Sequence, residues 1–374
     1  MSKETTMNHH GISLEASKPL PPMGGVAGQY GAMVGTAPNK QADVNYNEPI
    51  TLYSVTDLVK LGDTGTLPAN ARFFLEETGL ALDVIVVPHS DTPAKLLENI
   101  VGGVDLSDGS RTGIAAIDYC NEAPTQIAVP AFCNIAVANA LASLCDNSYA
   151  EGWTDATDTT TPAALAYAND LGEAHQRVWC VDVHGERWSQ IISPSVYGMT
   201  ARCKVKPWES PDGQPLKLDD LGRVVGYRVT NPTCEAVQLN KKGLSVAVKD
   251  PNGGLMLLAT RTASGYFGNI VGIENQLCRE IIKSHRATMG KNLDPDFFKM
   301  RIAQLNNWGK TLKADGAVID FEVMLSPTRN TQARYENGEW VLTINWGAFR
   351  PNEHSIVELN QTGEIIEAYV SSIL

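Results

Sequence analysis

Between Gln29 and Val183, apolar runs of strand length alternate with segments that repeat their apolar residues at helical spacing. This alternation constrains the fold more than any other feature of the chain. Strands are expected at Tyr30–Val34, Ile50–Tyr53, Leu82–Val87, Gln126–Val129 and Val178–Val183. Between them, a short helix is expected near Thr56–Leu61, and a second opens at Thr66 with Pro68 just inside it. Further helices are expected at about Pro93–Val101, Arg111–Tyr119, Ile135–Cys145 and Pro162–Leu171. Strands that keep alternating with helices read as a layered α/β sheet.

The pattern breaks at Pro207–Arg228, where Pro211, Gly213, Pro215 and Gly222 suggest a loop or hairpin and a domain boundary. Beyond it lie a helix near Glu235–Asn240, strands at Leu244–Val248 and Leu255–Thr260, two long helices, and strands at Val318–Met324 and Trp340–Trp346. The expected organisation is therefore α/β with an α+β second unit. It comprises an N-terminal arm (1–25), a two-layer α/β domain (26–230), a C-terminal α+β domain (231–360) and a C-terminal arm (361–374). Each arm holds one lone apolar segment: Ile12 and Leu14 in the first, and Ile365, Ile366, Tyr369 and Val370 in the second. Both read as extended strands on tethers. A lone strand leaves its backbone groups unpaired, so it must find a sheet edge, in its own chain or in a neighbour's.

Charge is unevenly distributed. The chain carries a net −12, yet Glu274–Lys313 holds eight basic and four acidic residues, leaving −16 for the rest. Arg279, Lys283 and Arg286 recur at i, i+4 and i+7 and so share one helical stripe. The second helix of this island starts with Asp294 as N-cap and Pro295 at its first position, and Lys299, Arg301, Lys310 and Lys313 are read on its exposed face. The helix dipole alone would favour Asp296 at the start and Lys310 and Lys313 at the end. The stripe in the first helix is either a docking face for an acidic partner or an ordinary solvated surface. The global charge argues against nucleic acid as that partner.

No catalytic constellation emerges. Gly309-Lys310-Thr311 ends like a phosphate loop, but Gln304 stands where its first glycine belongs. The glycines at 24, 25, 28, 31 and 35 do not have dinucleotide-loop spacing. Asp182, His184 and Glu186 cluster at a strand end, where a catalytic or metal site is conceivable but a loop histidine beside acids is the commoner outcome. Seven dispersed cysteines suggest neither a zinc site nor a disulfide framework. The expectation is no enzyme, no cofactor and no metal, with no signal peptide and no membrane span. The alternative is an acidic cytoplasmic α/β enzyme or ligand-binding protein with a basic pocket.

The order of features resembles the tail sheath proteins of contractile phage tails and R-type bacteriocins. The resemblance is carried by His9-His10-Gly11, by Gly31 to Ala37, by Asn47-Glu48-Pro49-Ile50 and by Gly65-Thr66-Leu67-Pro68. Further along it is carried by Gln126 to Pro130, Leu239-Asn240 with Gly243, Arg261-Thr262, the helix pair 274–313, Gly316 to Phe321 and Glu336-Asn337-Gly338. The chain departs from the family at Leu258-Ala259-Thr260, where a Trp-Gly is common, and at Pro207–Arg228. The resemblance implies hexameric rings stacked around a tail tube, linked by arms that add strands to neighbouring subunits. The C-terminal domain would face the tube, the basic residues would meet it, and contraction would drive the tube through a target envelope. Baseplate and tail terminator proteins are the other implied partners. The implied location is the virion tail, after assembly in the bacterial host cytoplasm.

Overall fold

The computed structural model describes residues 28–172 and 175–374. In chain order, the first part contains β1 (Gly31–Thr36), β2 (Pro49–Leu52), α1 (Leu67–Thr78), β3 (Leu82–Val87), α2 (Pro93–Val101), β4 (Gln126–Ala128), α3 (Ile135–Ser148) and β5 (Glu151–Asp155). It continues through α4 (Thr161–Leu171), β6 (Val178–Asp182), α5 (Pro194–Cys203), β7 (Pro215–Leu216), α6 (Glu235–Asn240), β8 (Leu244–Lys249) and β9 (Leu255–Leu258). The strands form one nine-stranded sheet in the order β7-β9-β8-β6-β5-β4-β1-β3-β2. The six strands from β8 to β3 run parallel; β2 pairs antiparallel with β3 at one edge, and β9 and then β7 are added antiparallel, each to its neighbour, at the other.

The chain steps from β1 out to β3 and then returns past β1 to β4, so its crossovers cover both faces of the sheet. Side chains alternate accordingly. Met33, Val84 and Val86 pack with α1 and α5 on one face, while Ala32, Val34, Ile85 and Ile127 pack with α2 and α3 on the other. The expected two layers are therefore three, because a parallel sheet must bury both faces. The expected boundary at residue 230 does not end this unit either. β8 and β9 extend the same sheet, β8 pairing in parallel with β6.

In doubly wound sheets, ligands bind at the carboxyl ends of the strands where the winding reverses. Here that point, the end of β1, is closed by the chain itself. Thr36 N donates to Thr66 Oγ1 at 3.0 Å and Thr66 N to Thr36 Oγ1 at 3.1 Å, which pins the start of α1 against the strand. Gly65, at φ +99°, lies so close that a Cβ would stand 2.3 Å from the Thr36 carbonyl oxygen.

The second unit contains α7 (Gly268–Arg286), α8 (Pro295–Ala314), β10 (Asp320–Leu325), α9 (Gln332–Glu336) and β11 (Leu342–Gly347). α8 starts as expected, with Asp294 Oδ1 accepting from Phe297 N at 2.7 Å and Pro295 following. β10 and β11 form an antiparallel pair, and with α7 and α8 they enclose Ile273, Leu277, Leu305, Trp308, Leu312, Val318 and Val323. Residues 348–362 have no regular structure, and the chain ends in α10 (Gly363–Ile373).

Candidate assembly interfaces

Helix α7 is bolted across the amino edge of the sheet. Arg177 Nε donates to Asn275 Oδ1 at 2.7 Å, and Asn275 Nδ2 donates to the Ala150 carbonyl at 3.2 Å. Arg279 completes the joint, bonding the Pro124 carbonyl at 2.9 Å and also the carbonyl of Ala123. It is not a docking charge. Its guanidinium is spent on strand-end carbonyls, and burial lowers its pKa.

Arg301 is also misplaced by the sequence reading: it is completely buried. Its guanidinium donates to Gln304 Oε1 at 2.7 Å, Ser284 Oγ at 2.6 Å and His285 Nδ1 at 2.7 Å, joining α8 to α7. The reason lies in the helical period. The buried stripe of α8 is Phe297, Arg301, Leu305, Trp308 and Leu312, and the arginine occupies an inward position on it. Burial, together with the charge of Arg301, keeps the His285 imidazole below its ordinary value of 6.5. As pH falls through 6.5 the unfolded chain takes up a proton that the folded chain refuses, so this group's contribution to stability is lost in that direction. The His285 ring should titrate below 6.5 by NMR, and Arg301→Met should move its midpoint upward.

Five of the seven basic candidates remain exposed: Lys283, Arg286, Lys299, Lys310 and Lys313. Lys283 and Arg286 pair with no carboxylate among the described residues, and Ile282 and Met289 beside them are 54% and 80% exposed. Lys299 lies 3.9 Å from Asp296, and Lys313 3.1 Å from Asp320. The five do not form one patch. Arg301 aligns with Ser284 and His285, so Lys283, Arg286 and Lys299 sit near the free end of the α7–α8 hairpin. Lys310 and Lys313 lie about 15–20 Å further along α8, at 1.5 Å per residue.

Of the arm residues, Ile12 and Leu14 lie outside the described residues. Ile365, Ile366, Tyr369 and Val370 are placed, but in a helix rather than the expected strand, and every residue of that helix is exposed. The apolar positions 365, 366, 369, 370 and 373 follow the 3.6-residue period, and alternation in twos, which a strand requires, is absent. The β10–β11 ribbon has an open edge on each side among the described residues.

The cluster at Asp182, His184 and Glu186 comes apart into separate structural pairs. Asp182 is fully buried and paired with Arg223, which also bonds Glu235 at 2.8 Å. His184 pairs with Asp158, and Glu186 lies in a short strand that pairs with Asp220. Among the described residues no group of three or more His, Cys, Asp or Glu could hold a metal, and no helix is long and apolar enough to cross a membrane.

No family model matches the chain. Curated relatives do. It is 25% identical to a prophage major tail sheath protein of Pseudomonas aeruginosa (strain UCBPP-PA14) over 90% of each chain. It is 21% identical to the tail sheath protein of Escherichia phage P2 over 98% of each. Among solved structures, the PVC sheath complex of an extracellular contractile injection system, in its contracted state, superposes with a TM-score of 0.74. That match covers 96% of this chain and 99% of the other, at 15% identity. The contracted helical sheath of the anti-feeding prophage gives 0.70 over 96% and 100%, at 19% identity. The fold, shared almost end to end, is that of a structural subunit of helical sheaths. Along nearly its whole length the chain is similar to contractile tail sheath proteins. Nothing in these likenesses supports the enzyme alternative.

Proposed function

We propose that this chain is the polymerising subunit of a contractile tail sheath, stacked as hexameric rings around a tail tube and contracting to drive that tube through a cell envelope. The observation that carries this reading is the likeness to sheath subunits over 96% of the chain. In this reading the α7–α8 hairpin and the β10–β11 ribbon face the tube, and the nine-stranded sheet faces outward. Baseplate and terminator proteins bind the two ends of the stack, which resides in the virion tail after assembly in the host cytoplasm.

The surfaces suit the two kinds of contact such a machine requires. Tube contacts must release, and exposed ion pairs of roughly 0–1 kcal/mol each, screened by salt, do so while adding up over a long lattice. Lys283 and Arg286, exposed and without a carboxylate partner among the described residues, are the strongest candidates for this role. Contacts between subunits must persist through contraction. The open edges of the β10–β11 ribbon offer templates for strand addition, and the exposed stripe of α10 offers an apolar handle.

Negative-stain microscopy of the purified protein tests the proposal: striated tubes support it, and a uniformly monomeric, non-polymerising protein argues against it. Reversing the hairpin charges with Lys283→Glu and Arg286→Glu should abolish co-sedimentation with tail tubes at physiological salt and leave tube-free polymers intact. Unchanged co-sedimentation would return these residues to the solvated surface.

A further inference from the structure

Under α7, where it crosses the amino edge of the sheet, lies a cavity of about 30 Å³ whose lining includes Gln29, Thr125, Gln126, Glu151, Gln276 and Arg279. Two of its polar atoms have no hydrogen-bond partner among the described residues: Gln29 Nε2, a donor, and Gln276 Oε1, an acceptor. Gln276 is 6% exposed. The orientation of the Gln29 amide is set from its other end, because Oε1 accepts from Thr125 Oγ1 at 2.9 Å and from Gln126 Nε2 at 3.3 Å. Gln126 Nε2, itself oriented by Trp153 and Glu151, can only donate, so flipping the Gln29 amide would set two NH₂ groups against each other, and Nε2 is left for the cavity.

The lining also defines the charge of any occupant. Glu151 is the one carboxylate, and its oxygens already accept from Arg202, Trp179 Nε1 and Gln126 Nε2. Arg279 directs its guanidinium at backbone carbonyls. A cation would find no free acceptor charge here, and an anion no free cationic donor. The complement of one free donor and one free acceptor is a neutral molecule that both gives and takes a proton in hydrogen bonding. One water needs roughly 10–15 Å³ on this measure, so the volume admits one or two.

We infer that this cavity is a structural hydration site, in which one or two ordered waters accept from Gln29 Nε2 and donate to Gln276 Oε1. The waters extend the buried network of Arg202, Glu151, Gln126 and Gln29 from the sheet to helix α7. Leaving both atoms dry would cost on the order of a broken hydrogen bond each, which makes occupancy the lower-energy state.

A crystal structure of the full chain at about 2 Å or better tests this. The expected result is water density within hydrogen-bonding distance of both amides in every copy. Three results would overturn it: a dry cavity, the two amides rotated into direct contact, or a side chain from residues 1–27 filling the space. In solution, oxygen-17 relaxation dispersion counts long-lived internal waters, and Gln276→Met should remove one or two from that count. An unchanged count in a folded variant overturns the assignment. Should that variant fail to fold, the structure of the unaltered chain still decides.

Discussion

Arg202→Met should be among the most damaging single substitutions in this chain, lowering the free energy of unfolding by about 3–5 kcal/mol, the range for a broken buried ion pair. Arg202 on α5 is fully buried and meets Glu151 of the central strand β5 at 2.9 Å. Its remaining donors satisfy the carbonyls of Lys206, Pro207 and Glu209 at 3.0, 2.7 and 2.9 Å. Glu151 also accepts from Trp179 Nε1 at 2.7 Å, and Trp153, stacked on Trp179 at 4.8 Å, donates to Gln126 at 2.8 Å. Methionine fills much of the arginine's volume but leaves a buried carboxylate without its countercharge and three carbonyls without the arginine's donors. The damage extends into the second unit because α7 rests on this guanidinium: a Cβ on Gly272 would stand 2.0 Å from Arg202 Nη2. Urea unfolding followed by tryptophan emission reads the change, since both indoles belong to the network. Glu151→Gln with Arg202→Met should recover a large part of the loss by removing the stranded charge. A midpoint for Arg202→Met equal to that of the unaltered chain would show the network to be dispensable.

Two of the elements that make this network, β5 and α5, are ones the sequence reading missed. β5 reads Glu-Gly-Trp-Thr-Asp, five residues all buried, with one large apolar side chain and no alternation, because both of its faces are covered. α5 is buried at every position from Pro194 to Cys203, so it has no polar face and no stripe to detect. Elements with a long apolar run or one wet face were legible. Leu82–Val87, an apolar run interrupted only by Asp83 and covered on both faces, and the half-exposed helix Pro93–Val101 appear with the expected bounds, and the Asp294-Pro295 start of α8 is where its cap signal placed it. In the candidate interface the same asymmetry operates in reverse. Charge alone assigned Arg279 and Arg301 to the surface, whereas the stripe Phe297, Leu305, Trp308 and Leu312 would have placed Arg301 inside. Arg279 had no such signal, because its partners are backbone carbonyls from residues more than a hundred positions away.

Deleting residues 361–374 should leave a monomer with an unchanged melting temperature that no longer forms sheath polymers. Stability should not change because α10 buries nothing: all its residues are exposed, with Ile365 at 70%, Tyr369 at 64% and Ile373 at 64%. An isolated helix of 11 residues is itself marginal in water, and this one is rich in Ile, Val and Tyr, which favour extended backbone. In the proposed docking onto a neighbouring subunit, its own fold would resist little, whichever conformation it takes there. Burial of five large side chains supplies the gain, at roughly 1.5–3 kcal/mol for each one fully buried, before the ordering of tether 348–362 is subtracted. That tether is anchored near its start, where Arg261 Nη2 holds Glu353 at 2.7 Å, so the free reach begins after residue 353. Nine residues from 354 to 362 span up to about 30 Å when extended, so α10 can be carried well away from the body of its own subunit. Ile365→Asp with Tyr369→Asp tests the stripe without shortening the chain, and should reproduce the deletion. Microscopy and sedimentation of either variant decide the matter: polymers of normal length and yield would place the cohesion of the sheath elsewhere in the subunit.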